Sequence, residues 1–451
     1  MVLGKAIHTP VPDTSTTNTK PAAASAEPNY SRPLIIVTTL FFMWGFLTSL
    51  NDILVPHLKS IFDLSYTRVM LIQFAFFSAY FLFSLPWSRV VNTIGYQRTM
   101  VAGLLLMAAG AFLFIPAAVA VSFPLFLTAL MVLAAGITGL QVSANPYVVV
   151  LGKPATASSR LDLTQAFNSL GTTVAPQLGG LLILSAAPMA MEQVRQLTPQ
   201  ALQAYRISEA SSVKLPYMVI AIALIALAVV IGAAKLPKIE HAEPRPDESG
   251  ADSIWGHPNL LFGALGIFAY VGAEVSIGSF LVNYFGLPGI AGMSARDAAG
   301  YVSFYWGGAM IGRFLGAPVL RRIKAGNVLA VCAIAAAVLV VASMMTGGRT
   351  AMWTILAVGF FNSIMFPTIF SLGVAELGPL TGNGSGLINM AIVGGAVLPL
   401  IQGALADRFG LHHAFVLPVI CYLYIFFFAL SGSRPNSERY RSAQPAVRGR
   451  A

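Results

Sequence analysis

Charge is what this chain has least of. Asp, Glu, Lys and Arg make up 10% of its 451 residues, where a soluble globular domain carries about 25%. A water-facing surface for a chain this long cannot be built from so few charges, which excludes a soluble protein of several domains. Cysteine is nearly missing. Cys332 and Cys421 both sit inside apolar runs, where they pack as small hydrophobes, so neither a disulfide framework nor a metal site is expected. His8, His57, His241, His257, His412 and His413 are scattered through tails and loops. The last two are adjacent and would point about 100° apart on a helix, a poor chelate. With no metal cluster or nucleophile constellation, a membrane enzyme is the least favoured class. The polar first 30 residues, rich in Ala, Thr and Pro, lack the pattern of a signal peptide.

What is abundant is apolar length. Hydrophobic residues make up 56% of the chain, and mean hydropathy is +0.75. A membrane-crossing helix needs about 20 such residues. Twelve runs qualify, beginning near Pro33, Tyr66, Thr99, Phe123, Arg160, Val213, Pro258, Arg296, Asn327, Ala351, Asn383 and His412. The expected architecture is an all-α membrane protein of twelve transmembrane helices in two pseudo-symmetric six-helix bundles. Its parts are a disordered tail at 1–32, a bundle at 33–236, a linker at 237–257, a second bundle at 258–432 and a basic tail at 433–451.

The charges that do occur orient the chain. With the amino terminus inside, 19 of the 27 Lys and Arg fall on the cytoplasmic side and 8 outside, so both termini are expected in the cytoplasm of a multi-pass protein of the cell inner membrane. This asymmetry, rather than nucleic-acid binding, accounts for the net charge of +10. Arg434, Arg439, Arg441, Arg448 and Arg450 suit anionic headgroups. The linker holds Glu240, Glu243, Asp247, Glu248 and Asp252 among Pro and Gly and reads as a solvated joint, with a regulatory docking segment as the alternative.

The halves repeat each other. Gln141 stands five residues before Pro146, and Asn362 five before Pro367, an offset of 221. Asn168 and Asn389 share that offset, and Asp52 and Glu274 differ by 222. Three pairs in three matching spans point to a tandem duplication, an architecture in which transporters hold substrate between halves that rock. Reuse of Asn and Pro at helix kinks is the plainer account.

Most acids fall in tails, loops or helix ends. Asp52 and Glu274 stand out as intramembrane carboxylates, expensive unless paired, protonated or facing a wet cavity, and so are candidates for proton coupling. Alternatively Asp52 is a helix-end carboxylate in contact with water, and Glu274 a partner for Arg313. A sugar needs groups that both donate and accept, as amides do. The candidates are Asn51, Gln141, Asn145, Gln165, Asn168, Asn283, Asn362 and Asn389, with Trp44 to stack on a pyranose; interhelical glue is the alternative for each. Pro86, Arg89 and Gly95 after span two parallel Pro318, Arg321 and Gly326 after span eight. Arg89, Arg98, Arg313 and Arg321 are candidate gating residues, or serve only to set topology. No metal or other cofactor is expected.

The segments Asn51-Asp52-Ile53-Leu54-Val55-Pro56, Gln141-Val142-Ser143-Ala144-Asn145-Pro146-Tyr147 and Arg160 through Ser169 resemble the fucose:proton symporter family of the major facilitator superfamily. Tyr270 through Val275 and Ser279 through Phe285 resemble its glucose/galactose transporter branch. The resemblance runs from about Pro33 to Leu430. It implies the superfamily fold, a central sugar site and secondary active transport, with Asp52 at the position associated with protonation and Gln165 and Asn168 as cavity residues. Two departures matter: Gln141 stands where the fucose symporter pattern has a carboxylate, and Ser49 where it has asparagine. Both favour glucose or galactose over fucose. The expected function is import of a hexose by proton symport, by a monomer with the sugar and the bilayer as partners and no nucleic acid. A sodium-coupled or uncoupled carrier is the first rival, a non-transporting sugar sensor the second.

Overall fold

The computed structural model describes residues 30–62, 66–183, 196–237 and 253–434, with side chains described except at 48–73, 175–183, 295 and 296. The expected tail residues 1–29, linker residues 238–252 and tail residues 435–451 therefore lie outside the described residues. Asn51 and Asp52 fall on the helix Ser31–Phe62, with their side chains outside the described set.

Among the described residues nine helices are long and apolar enough to cross a membrane. Ser31–Phe62, Ala157–Ile183 and Ala295–Arg322 complete the twelve spans. Those last two carry more polar residues because each packs one face against the opposite half. Spans two to four are Tyr66–Ile94, Tyr96–Val119 and Phe123–Val150. Span six is Lys214–Ala233, span seven Pro258–Gly286 and span nine Ala325–Met345. The expected starts at Tyr66, Phe123 and Pro258 are the observed ones, whereas the first span begins at Ser31.

Two features were not visible as hydropathy. Pro199–Ser212 forms a separate helix ahead of span six, started by Thr198, whose side chain accepts from the Ala201 N–H at 3.4 Å, and by proline in its first turn. Span ten is broken at Ser363 and Ile364 into Gly348–Asn362 and Met365–Gly373, where Pro367 has no N–H to give the ladder. Span eleven is likewise Thr381–Met390 and Gly394–Phe409, and span twelve is Leu411–Ala414 followed by Val416–Phe427. Spans one to six and seven to twelve form two six-helix bundles. Phe81, Leu105, Val229, Phe304 and Val331 are exposed on their outer faces, as suits a surface solvated by lipid.

Candidate functional site

The duplication is visible as chemistry. Gln141 of span four donates from Nε2 to the Tyr80 hydroxyl of span two at 2.8 Å. Asn362 of span ten donates from Nδ2 to the Tyr305 hydroxyl of span eight, also at 2.8 Å. Matching helices thus make the same bond in each half. In both pairs the amide oxygen is left buried without a partner in the protein, as are both polar atoms of Asn145, Nε2 of Gln165 and Oδ1 of Asn389. A buried polar atom left unbonded costs about 1–3 kcal/mol. Five such amides in helices of both halves would together be a heavy burden on a purely structural core.

The amides are tied to one another across the halves. Ser385 of span eleven donates from Oγ to the Val142 carbonyl at 3.1 Å, next to Gln141 and one turn from Asn145. Asn389 donates from Nδ2 to the Ser385 carbonyl at 2.9 Å and lies 3.1 Å from its hydroxyl. Trp44 of span one is hydrogen-bonded to Tyr80 and packs on Phe41 with ring centroids 5.5 Å apart. Asn168 donates to the Phe41 carbonyl at 2.9 Å, so its amide also clamps span five to span one.

Glu274 has a built environment. The Tyr270 hydroxyl lies 2.7 Å from its Oε1 and 3.1 Å from the Asn362 carbonyl, and Tyr305 reaches the Glu274 carbonyl at 3.4 Å. Arg313, the partner of Glu274 in the alternative reading, lies within electrostatic reach of it and donates from Nε to the Ser363 carbonyl at 3.1 Å and from an NH group to Ser169 of the opposite half.

The halves meet along two antiparallel seams at the end where the linker emerges. Spans two and eleven meet at Asn92 and Asn383, with Nδ2 2.6 Å from Oδ1, and at Gly386, where a Cβ would come within 2.7 Å of the Ser88 Cβ. Spans five, eight and ten meet at Ser158 and Ser371, 2.6 Å apart, at Ser159 and the Ala317 carbonyl, 2.6 Å apart, and at Arg321 and Ser159, 3.3 Å apart. Gly386→Leu is expected to hold the first seam apart. In a background lacking Cys332 and Cys421, a cysteine at Ser158 should then react faster with a water-soluble maleimide; an unchanged rate would contradict close packing at this end.

The family model of the Major Facilitator Superfamily matches residues 36–395. The chain belongs to the major facilitator superfamily. Within it, the chain is 52% identical over 419 residues to the glucose/galactose transporter of Brucella abortus, covering 93% of this chain and 98% of that one. It is 35% identical over 408 residues to the L-fucose-proton symporter of Escherichia coli, covering 89% and 93%. A crystal structure of the E. coli fucose:proton symporter superposes with a TM-score of 0.83 at 34% identity, over 90% of this chain and 99% of that one. The chain is therefore a member of the fucose:proton symporter family and stands with its glucose/galactose transporter branch. It is a multi-pass membrane transporter and not an enzyme.

Of the candidate site residues, Trp44 and Gln141 meet at Tyr80 and Asn389 reaches the Val142 turn of the other half through Ser385, whereas Asn168 and Asn362 bond within their own halves. Asn283 lies apart from these, since it is exposed one turn from the end of its helix. Of the four candidate gating residues, Arg313 and Arg321 bond across the halves, whereas Arg89 and Arg98, exposed like Arg321, make no side-chain bond across either seam among the described residues. An apolar cavity of about 810 Å³ lies between spans one, five and six, lined by Leu34, Phe42, Phe167 and Leu227 among others. Its hydroxyls, on Thr38 and Thr39, donate to the Leu34 and Ile36 carbonyls at 2.7 and 2.6 Å, so they have no hydrogen left to give a sugar.

Sequence reasoning missed Tyr80, Tyr305 and Ser385, the partners of the amides. The tyrosines stand 225 residues apart, close enough to the repeat offset to have been found. It also passed over Asp162 as a helix-end acid. That expectation is corrected, because the helix starts at Ala157 and Asp162 is fully buried.

Proposed function

We propose that the protein imports glucose or galactose with a proton across the inner membrane, by alternating exposure of a site between its halves. The observation that carries this reading is the set of buried amide atoms on both halves that the protein itself leaves unbonded. A sugar hydroxyl donates and accepts at once, and amide oxygens and N–H groups at Gln141, Asn145, Gln165, Asn362 and Asn389 answer both needs. Trp44 offers a face for the ring. The identity to a glucose/galactose transporter supports the choice of hexose, as does the neutral Gln141 where the fucose pattern has an acid.

Asp52 and Glu274 are the coupling carboxylates in this proposal, and the similarity to an L-fucose-proton symporter supports the proton. The bundles at 33–236 and 258–432 rock as units joined by a cytoplasmic linker at 237–257, with both termini cytoplasmic and the basic tail at the headgroups. Arg313 and Arg321 steady the closed linker end. Coupling needs a proton that favours one state over the other, since one bound equally by both would shift nothing. The protein acts as a monomer and needs no cofactor. Gln141 cannot titrate, which favours a second reading in which sodium drives uptake or nothing does; a sodium gradient imposed at constant pH separates the two.

The test of the sugar is thermal stabilisation. A ligand that binds only the folded protein raises its melting temperature, so glucose or galactose should raise it more than fucose does, and equal or absent shifts across the panel would overturn the assignment. Tyr80→Phe leaves Gln141 Nε2 without its partner, and at about 0.5–1.5 kcal/mol for one such bond sugar affinity should fall about 2- to 13-fold by titration calorimetry.

A further inference from the structure

We propose that Asp162 is a proton-binding site whose occupancy follows the closure of the linker end: it holds a proton while the halves are shut there and releases it to linker-side water when they part. The assignment rests on alternating access as proposed above, not on which sugar or coupling ion is used.

Asp162 has 0% exposure, and neither of its carboxyl oxygens has a hydrogen-bond partner in the protein. The other half takes part in covering it. Span eight passes so close that a Cβ on Gly316 would come within 2.8 Å of Oδ2. The bonds of the second seam surround it, from Ser159 to the Ala317 carbonyl on one side to Arg313 and Ser169 on the other. Arg313 of span eight is within electrostatic reach but donates to Ser169 and the Ser363 carbonyl. Cys332 of span nine also feels Asp162. Arg160, on the same helix, turns to the Val148 and Val149 carbonyls at 3.2 and 2.7 Å. Tyr147 of span four turns to the Pro237 carbonyl at 3.2 Å, and Arg321 to Ser159.

The duplication supplies an internal comparison. Adding the repeat offset of 221 to position 162 gives 383, and Asn383 occupies the matching place in the other seam. There a neutral amide meets the Asn92 amide at 2.6 Å. At Asp162 the protein keeps an acid and gives it no donor. A dry, unbonded carboxylate is far costlier than the neutral acid, whereas in water the charge is cheap. Parting the halves admits water, the O–H bond breaks, and the proton passes to water on that side. Closing again takes one proton back. Rising pH on the linker side therefore favours the open form.

The test is a distance measurement on the full-length protein. Spin labels on cysteines at Thr93 and Arg322, in a background without Cys332 and Cys421, report separation of the two halves at the linker end by pulsed electron resonance across a pH series. One proton per closure contributes up to a tenfold change in the ratio of open to closed forms per pH unit, and Asp162→Asn should lower the slope by that one proton and favour the closed form. Asp162→Ser serves the same comparison should the asparagine variant fail to fold. A wild-type ratio that responds to sugar but not to pH, or a slope in the variants as steep as in the wild type, overturns the assignment. A distance that responds to neither counts against alternating access itself.

Discussion

Asp52→Asn is expected to reduce gradient-driven sugar accumulation to simple equilibration. An inward gradient of one pH unit is worth about 1.4 kcal/mol per proton, so a carrier moving one proton with each sugar can hold about a tenfold sugar gradient. Asparagine has the shape of the protonated acid and cannot release a proton. The variant is thus held in the loaded form, and the inside-to-outside ratio should fall from about tenfold to about one. The measurement is steady-state radiolabelled sugar in proteoliposomes with an imposed pH difference. Glu274→Gln separates the roles of the two acids. Its carboxylate is held by Tyr270 at 2.7 Å, and a glutamine oxygen can accept the same bond, so a loss of accumulation there would show that titration and not packing matters.

Gln141→Ala should weaken sugar binding the most among the amides. The change removes an acceptor that the protein leaves unbonded and also strips Tyr80 of its 2.8 Å donor. Stranding a buried polar group costs about 1–3 kcal/mol, which corresponds to about 5- to 150-fold in dissociation constant. Asn283→Ala, at an exposed position one turn from a helix end, should change binding less than about twofold. Calorimetric titration of the two variants checks the contrast directly. If Asn283 proved the costlier loss, the site would have to lie nearer the far end of span seven.

How much was legible follows from what kind of force places each residue. The spans could be read because a bilayer demands about 20 apolar residues of each, a local property of sequence; hence Phe123 and Pro258 were found as starts. The repeat was legible because a duplicated helix keeps its polar positions, and Gln141 and Asn362 duly make the same bond to tyrosine in each half. Asp162 was not legible. It lies five residues after a helix start and would be wet on an isolated bundle; it is covered with the help of Gly316, over 150 residues away in the chain. Asn168 shows the opposite limit, since an amide reads alike as a binding group or as interhelical glue, and its Nδ2 donates to the Phe41 carbonyl as glue would. Helix breaks at Ser363 and Ile364 were hidden for a related reason, as Pro367 announces a kink without saying which turn opens.

The most direct test is to record sugar and proton together in proteoliposomes of purified protein loaded with a pH-sensitive dye. Adding glucose or galactose outside, with no gradient imposed, should acidify the lumen in proportion to sugar entry, near one proton per molecule, and the signal should vanish in Asp52→Asn. Sugar entry that leaves luminal pH unmoved, or that follows a sodium gradient instead, would contradict proton-coupled transport through this site.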